Sequence, residues 1–301
     1  MGNANKEYKD RLFHFLFGRE EHKGWTLSLY NAVRGSDYTN AEEIRINTID
    51  DVLYLGMHND ISFLIVGELN LFEQQSSFNP NMPLRMLQYT AKLYSKHVKQ
   101  NHLNFYGSRL LELPVPKLVV FYNGSTDKPD EMTLNLRDSF PADADPDINV
   151  RVRMININLD HSAALLEACR PLREYSWVIG KIREYNSEMP LADAISKTID
   201  EIPEDFLICD LLKAHKAEVC EMLETEYNQE EVLRIVAEDA ERRGEERGEE
   251  RGEKRGEKRG EKRLSELIKK LTPGSKEYEE ALNASHEELE ELYRKYGISQ
   301  D

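Results

Sequence analysis

Apolar positions recur at two periods along this chain, and the switches between them outline its elements. Residues 25–33, WTLSLYNAV, carry apolar side chains at helical spacing and stop before Gly35, a C-cap candidate. Residues 44–55 mix alternating and β-branched apolar positions, which predicts one or two short strands. DISFLIV at 60–66 predicts a strand, Gly67-Glu68 a turn, and LNLFEQQS at 69–76 the hairpin partner. NPNMP then breaks the pattern. Asn81 can cap, and Pro83 can open a helix running to about residue 98. KLVVFY at 117–122 reads as a buried strand closed by Asn-Gly, and residues 150–158 as another. From Ser162 the spacing is helical throughout, with breaks expected at Pro171, Pro190 and Pro203.

A hairpin, a covering helix and a buried strand together predict an α/β fold: a mixed sheet flanked by helices, followed by a helical C-terminal region. The expected divisions are an α/β core over 1–158, helices over 159–240 that pack on it, a spacer over 241–263 and short helices over 264–301. The spacer reads ERRGEERGEERGEKRGEKRGEKR, with glycine at 244, 248, 252, 256 and 260. Glycine disfavours helix by roughly 1 kcal/mol per position relative to alanine. A repeat of four advances about 400° around a helix, so it builds no fixed face. The expectation is a solvated, poorly helical segment that buries nothing. Beyond it, the stripe Leu282, Leu289, Leu292 and Tyr293 is suited to docking on the core or on a second copy, which makes a homo-oligomer a candidate assembly.

Charge changes the picture through its distribution. The net charge of −16 argues against nucleic acid as a partner. Residues 1–155, however, hold 17 basic and 20 acidic residues, whereas the remainder hold 23 and 36. No Asp or Glu occurs from Gln74 through Leu111, a stretch that carries Arg85, Lys92, Lys96, Lys99 and Arg109. The three cysteines have no zinc-type spacing, which fits a reducing compartment. No apolar run is long enough for a membrane span and no signal-peptide core is visible, so a cytoplasmic protein is expected. The chain has no HExxH, Walker or GxSxG motif, which leaves those enzyme classes without support.

The candidate chemistry lies in the hairpin. Side chains two apart on a strand share a face, so Glu73 and Gln75 project together with Leu71, and Phe72 and Gln74 project oppositely. Pairing across Gly67 brings Asp60 to the same end. Two carboxylates so placed need neutralising, and a hard divalent cation such as Mg²⁺ or Mn²⁺ does that with the help of the Gln74 backbone carbonyl. The same residues admit a purely structural reading. In it Asp60 caps the strand, Glu73 pairs with Arg85, and the glutamines are exposed. Arg85, Tyr89, Lys92 and Lys96 fall at helical offsets and form a basic stripe suited to DNA phosphates. Leu87, Ala91, Tyr94 and Val98 form the expected sheet-packing stripe. Asp50 and Asp51 compete as metal ligands.

An Asp opening one strand followed by Glu-x-Gln in the next resembles the PD-(D/E)xK nuclease site. YNAV, the ND…FEQQSSFNPNMPLRMLQY block, PKLVVFYNG, MININ and the Gly-Glu-Arg tail together resemble the recombination-promoting nuclease (Rpn)/putative transposase family over nearly the whole chain. The resemblance implies a divalent-metal-dependent DNA endonuclease linked to recombination or transposition. Asp60 and Glu73 would hold the metal, Gln75 would take the place of the usual lysine, and Glu20 or Glu21 would be possible contributors. Glutamine orients water but supplies no charge. A catalytically weak or inactive nuclease-fold protein that binds DNA or a partner is the alternative.

Overall fold

The computed structural model describes residues 12–47, 60–283 and 285–298. Asp50, Asp51 and most of the strand expected over 44–55 lie outside the described residues. The chain divides into two compact units, 1–231 and 232–301.

The first unit is α/β. Helices α1 (Leu12–Phe17) and α2 (Lys23–Arg34) precede strands β1 (Arg45–Ile46), β2 (Ile61–Ile65) and β3 (Glu68–Gln75). Helix α3 (Met82–Gln100) leads to β4 (Val115–Tyr122), β5 (Glu131–Asn135) and β6 (Arg151–Asn156). The six strands form one mixed sheet in the order β1-β2-β3-β4-β6-β5. Strands β3, β4 and β6 run parallel, and the other neighbours are antiparallel. Gly35 ends α2 in the left-handed conformation at φ 65°, as its position after the last apolar residue predicts. The hairpin turn lies one residue earlier than expected. Val66 and Gly67 both take positive φ, at 48° and 74°, and Glu68 opens β3. Strand β5 was not anticipated, because EMTLN follows two acids and holds only two apolar residues.

Alternation along the strands supplies both faces of the sheet. Ile61, Phe63, Phe72, Val119, Phe121 and Ile155 face one way, into the larger core with α1, α2 and the later helices. Those helices are α4 (Ala163–Ala168), α5 (Arg170–Asn186), α6 (Leu191–Asp200), α7 (Cys209–Ala214) and the start of α8 (Lys216–Lys270). Leu69, Leu71, Val120, Tyr122, Val152 and Met154 face the other way, onto α3. The break between α4 and α5 falls at Cys169, whose extended backbone lets Pro171 sit in the first turn of α5.

The Gly-Glu-Arg/Lys repeat lies inside α8, which corrects the expectation of a poor helix. Between the glycines every residue is Glu, Lys or Arg, straight-chain side chains that lose little rotamer freedom in a helix. Gly248, Gly252, Gly256 and Gly260 meet no neighbour, in keeping with a segment that buries nothing. In the second unit, α9 (Lys276–Asn283) and α10 (His286–Lys295) close a small cluster of Leu267, Leu271, Ala281, Tyr293 and Ile298. Tyr293 of the expected docking stripe is thus already buried there, whereas Leu282 is exposed.

Candidate functional site

The register Ile61↔Phe72 places Asp60, one residue before β2, beside Glu73 near the carboxyl end of β3. Ligand sites of open α/β sheets lie outside the carboxyl ends of parallel strands, and this is that end of β3 and β4. The two acids are cross-linked through the backbone. The Asp60 amide donates to Glu73 Oε2 at 3.2 Å, and the Gln74 amide donates to Asp60 Oδ2 at 2.6 Å. Asp60 and Glu73 are 6% and 2% exposed, so both carboxylates are held in a low-dielectric setting by hydrogen bonds from the chain itself.

Helix α3 supplies the counter-charge. Arg85 Nη2 donates to Glu73 Oε1 at 2.6 Å, and Arg85 also donates to the Tyr89 hydroxyl from Nε and Nη2. The ion pair of the structural reading is therefore present. Its exposed glutamines are not, because Gln74 and Gln75 are both buried. Burial pulls the Arg85 pKa down, and the Glu73 carboxylate, aided by Tyr89 and Asp60, more than reverses it to a net rise. The Tyr89 hydroxyl is pushed up to about 12, first by burial and then by the neighbouring Glu73 carboxylate.

The two glutamines take opposite faces, as strand alternation requires. Gln75 Nε2 donates to Met82 Sδ at 2.7 Å, on the α3 side. Gln74 Nε2 donates to Asn123 Oδ1 at 2.8 Å, and Asn123 Nδ2 donates to the Tyr175 hydroxyl at 3.2 Å on α5. This chain pins the strand segment that carries Glu73. Sequence reasoning took Asn123-Gly124 for a turn signal and missed the bridging amide. Gly124 is needed for close approach, since a Cβ there would collide with the Ser76 carbonyl oxygen.

Helix α3 is rotated relative to the expected stripes. Met82, Met86, Tyr89 and Leu93 are buried against the sheet, whereas of the expected stripe Val98 is buried, Leu87 and Tyr94 are half-buried and Ala91 is exposed. Tyr89 is 1% exposed and binds Arg85, so it is not part of a solvent-facing phosphate stripe. The physical reason is that thioether and phenol side chains bury their bodies as readily as leucine does. Lys92 and Lys96 are half-buried on the flank that begins at Arg85.

Glu20 and Glu21 stand exposed in a short turn before α2, where Glu20 pairs with Lys23 at 2.5 Å. Among the described residues no three of His, Cys, Asp and Glu gather as a metal-holding group, so neither joins Asp60 and Glu73. The acid pair therefore offers two carboxylates, and the Gln74 main-chain carbonyl expected beside them belongs to the residue whose amide binds Asp60. All are hard oxygens of the type Mg²⁺ takes, and Mg²⁺ commonly binds through one or two carboxylates with water completing its shell. The donor chemistry fits such an ion, with Glu73 Oε1 shared with Arg85.

No helix among the described residues is long and apolar enough to cross a membrane. No family model, curated protein or solved structure matches the chain.

Proposed function

We propose that the protein is a divalent-metal-dependent DNA endonuclease of the PD-(D/E)xK type that its sequence resembles. One observation carries the reading: two buried carboxylates, Asp60 and Glu73, lie side by side at the carboxyl end of the parallel strands. When bound, Mg²⁺ or Mn²⁺ supplies Lewis-acid activation of a phosphodiester and of water. Asp60, Glu73 and the Gln74 carbonyl would hold it. Gln75, whose amide nitrogen is taken by Met82, would orient the attacking water through its carboxamide oxygen. Arg85 orients Glu73 and offers positive charge beside the site. Lys92 lies about 10 Å further along the α3 axis at 1.5 Å per residue, and with Lys96 it would hold backbone phosphates without reading sequence.

A second reading is favoured by the Glu73–Arg85 pair itself, which compensates the Glu73 charge within the protein. On that reading the fold binds DNA or a protein partner and turns nothing over. The deciding experiment is cleavage of plasmid DNA by the purified full chain in Mg²⁺ or Mn²⁺. Asp60→Ala and Glu73→Gln are expected to abolish nicking while circular dichroism stays unchanged. Equal cutting by both variants and the wild type would place the chemistry elsewhere. Metal-independent DNA retention without nicking by any form would establish the second reading.

A further inference from the structure

The sheet face that carries Phe72 and Phe121 turns polar toward the opposite end of β3. Asn70 lies two residues before Phe72 and shares its face, and the register sets it against Lys117 of β4. Val119 pairs with Arg153 of β6, so Lys117 and Arg151, two residues earlier on each strand, are neighbours as well. Strand β5 adds Thr133 opposite Arg153. The C-terminal end of α2 forms the rim. Arg34, Asn70, Lys117, Thr133, Arg151 and Arg153 are among the residues lining the resulting cleft of about 340 Å³, the lower part of the range for small-molecule sites.

Two features of this cleft are unexplained by the fold. First, Asn70 is 0% exposed, and neither its Nδ2 nor its Oδ1 has a hydrogen-bond partner. Buried polar atoms are almost always paired, so an amide with both ends orphaned, at the lining of a cleft, points to a group that arrives from outside. Second, the cleft is over-supplied with cations. Arg34 and Lys117 share Glu68, at 3.0 and 3.4 Å. Arg153 forks onto Glu131 at 2.6 and 2.7 Å and donates to the Val33 carbonyl at 2.9 Å. Arg151 is exposed and makes no side-chain ion pair among the described residues. Four cations thus face two carboxylates.

We propose that this cleft is a nucleotide-binding site, distinct from the acid pair. Lys117 and Arg151 take the phosphate, and Asn70 takes a base edge that presents a donor beside an acceptor. On a free nucleotide adenine offers that pair at N6 with N7 or N1, and guanine offers it at N1 with O6. The ligand class is therefore a nucleotide, read by Asn70 at a donor–acceptor base edge. Lys117, a flexible half-buried side chain, swings off Glu68 to admit it.

The test is calorimetric titration of the full chain with AMP, GMP and inorganic phosphate in EDTA, which keeps metal at the acid pair out of the measurement. AMP and GMP are expected to bind with a Kd below 1 mM, at least tenfold tighter than phosphate. Lys117→Ala/Arg151→Ala should weaken AMP binding at least tenfold. Asn70→Leu should erase the preference for nucleotide over phosphate while leaving residual binding and an unchanged circular dichroism spectrum. No heat with either nucleotide to several millimolar overturns the proposal. So does equal binding of AMP and phosphate, which would make the cleft a general anion patch. Retention of AMP binding in both variants would place the nucleotide elsewhere and equally refute it.

Discussion

The two ends of β3 treat buried polar groups in opposite ways. At the carboxyl end Glu73, Gln74 and Gln75 all have named partners: Arg85 and the Asp60 amide, Asn123, and Met82. Toward the amino end, Asn70 is equally buried and has none. A largely satisfied buried network, in which Gln74 Oε1 lacks a hydrogen bond, rigidifies its surroundings, whereas an amide orphaned at both ends is a standing penalty. The contrast teaches that burial alone does not mark a site. What marks the first is a pre-arranged charge pair, and what marks the second is an unmet valence.

The sharpest break of this comparison is Arg85→Ala. It leaves a carboxylate that is 3% exposed at its side chain without its cation. The loss should be about 3 kcal/mol, the low end for breaking a buried pair because Arg85 is partly exposed. Urea unfolding midpoints check it, and Glu73→Gln/Arg85→Met should recover most of the loss. A cost under about 0.5 kcal/mol, the level of an ordinary surface change, would mean that the carboxyl end is not held by its charge pair.

Tyr89 gives the next effect, at high pH. Its hydroxyl titrates at about 12 in the folded state against 10.0 ordinarily. The native state therefore keeps the proton while the unfolded chain releases it. The associated stability is fully present below pH 10 and is lost as pH rises toward 12, on the order of 2 to 3 kcal/mol. Tyr89→Phe should remove that part of the alkaline decline, read as the difference between the two proteins' unfolding free energies from pH 9 to 11.5.

At the other end, Asn70→Leu is expected to raise stability by about 1 to 2 kcal/mol, because an orphaned buried amide is exchanged for an apolar side chain of similar volume. A fall in melting temperature would show that Asn70 is satisfied and would remove the contrast. The smallest effect is expected from truncation after Ala240. Unfolding of the first unit should shift by no more than about 0.5 kcal/mol, and a loss of several would tie the charged helix to the core.

Much of this was legible in the sequence because periodicity encodes faces. The hairpin and β6 follow from alternation, β4 from its apolar run and α3 from Pro83 in its first turn, although Asn81 makes no side-chain cap. The opposite projection of Gln74 and Gln75 follows from the strand period alone. The rotational setting of α3 was not legible. Met82 and Tyr89 decide it, and neither reads as a core position beside a run of leucines and lysines. Asn123 was hidden by its own turn signal. Asn70 carried a usable signal: an Asn between Leu69 and Leu71 must project to the face that Phe72 shares.

The acid site is drawn from residues 60–89, closed by one hairpin and the helix that follows it. The cationic cleft draws on residues from Val33 to Arg153. Contacts of short sequence separation form first, and long-range pairing waits on loop closure. A chain emerging from the ribosome at roughly 5–20 residues per second therefore exposes every residue of the acid pair and its arginine some seconds before β6 exists. The carboxylates meet their counter-charge while the far side of the sheet is still being synthesised, so their burial does not wait for the rest of the fold.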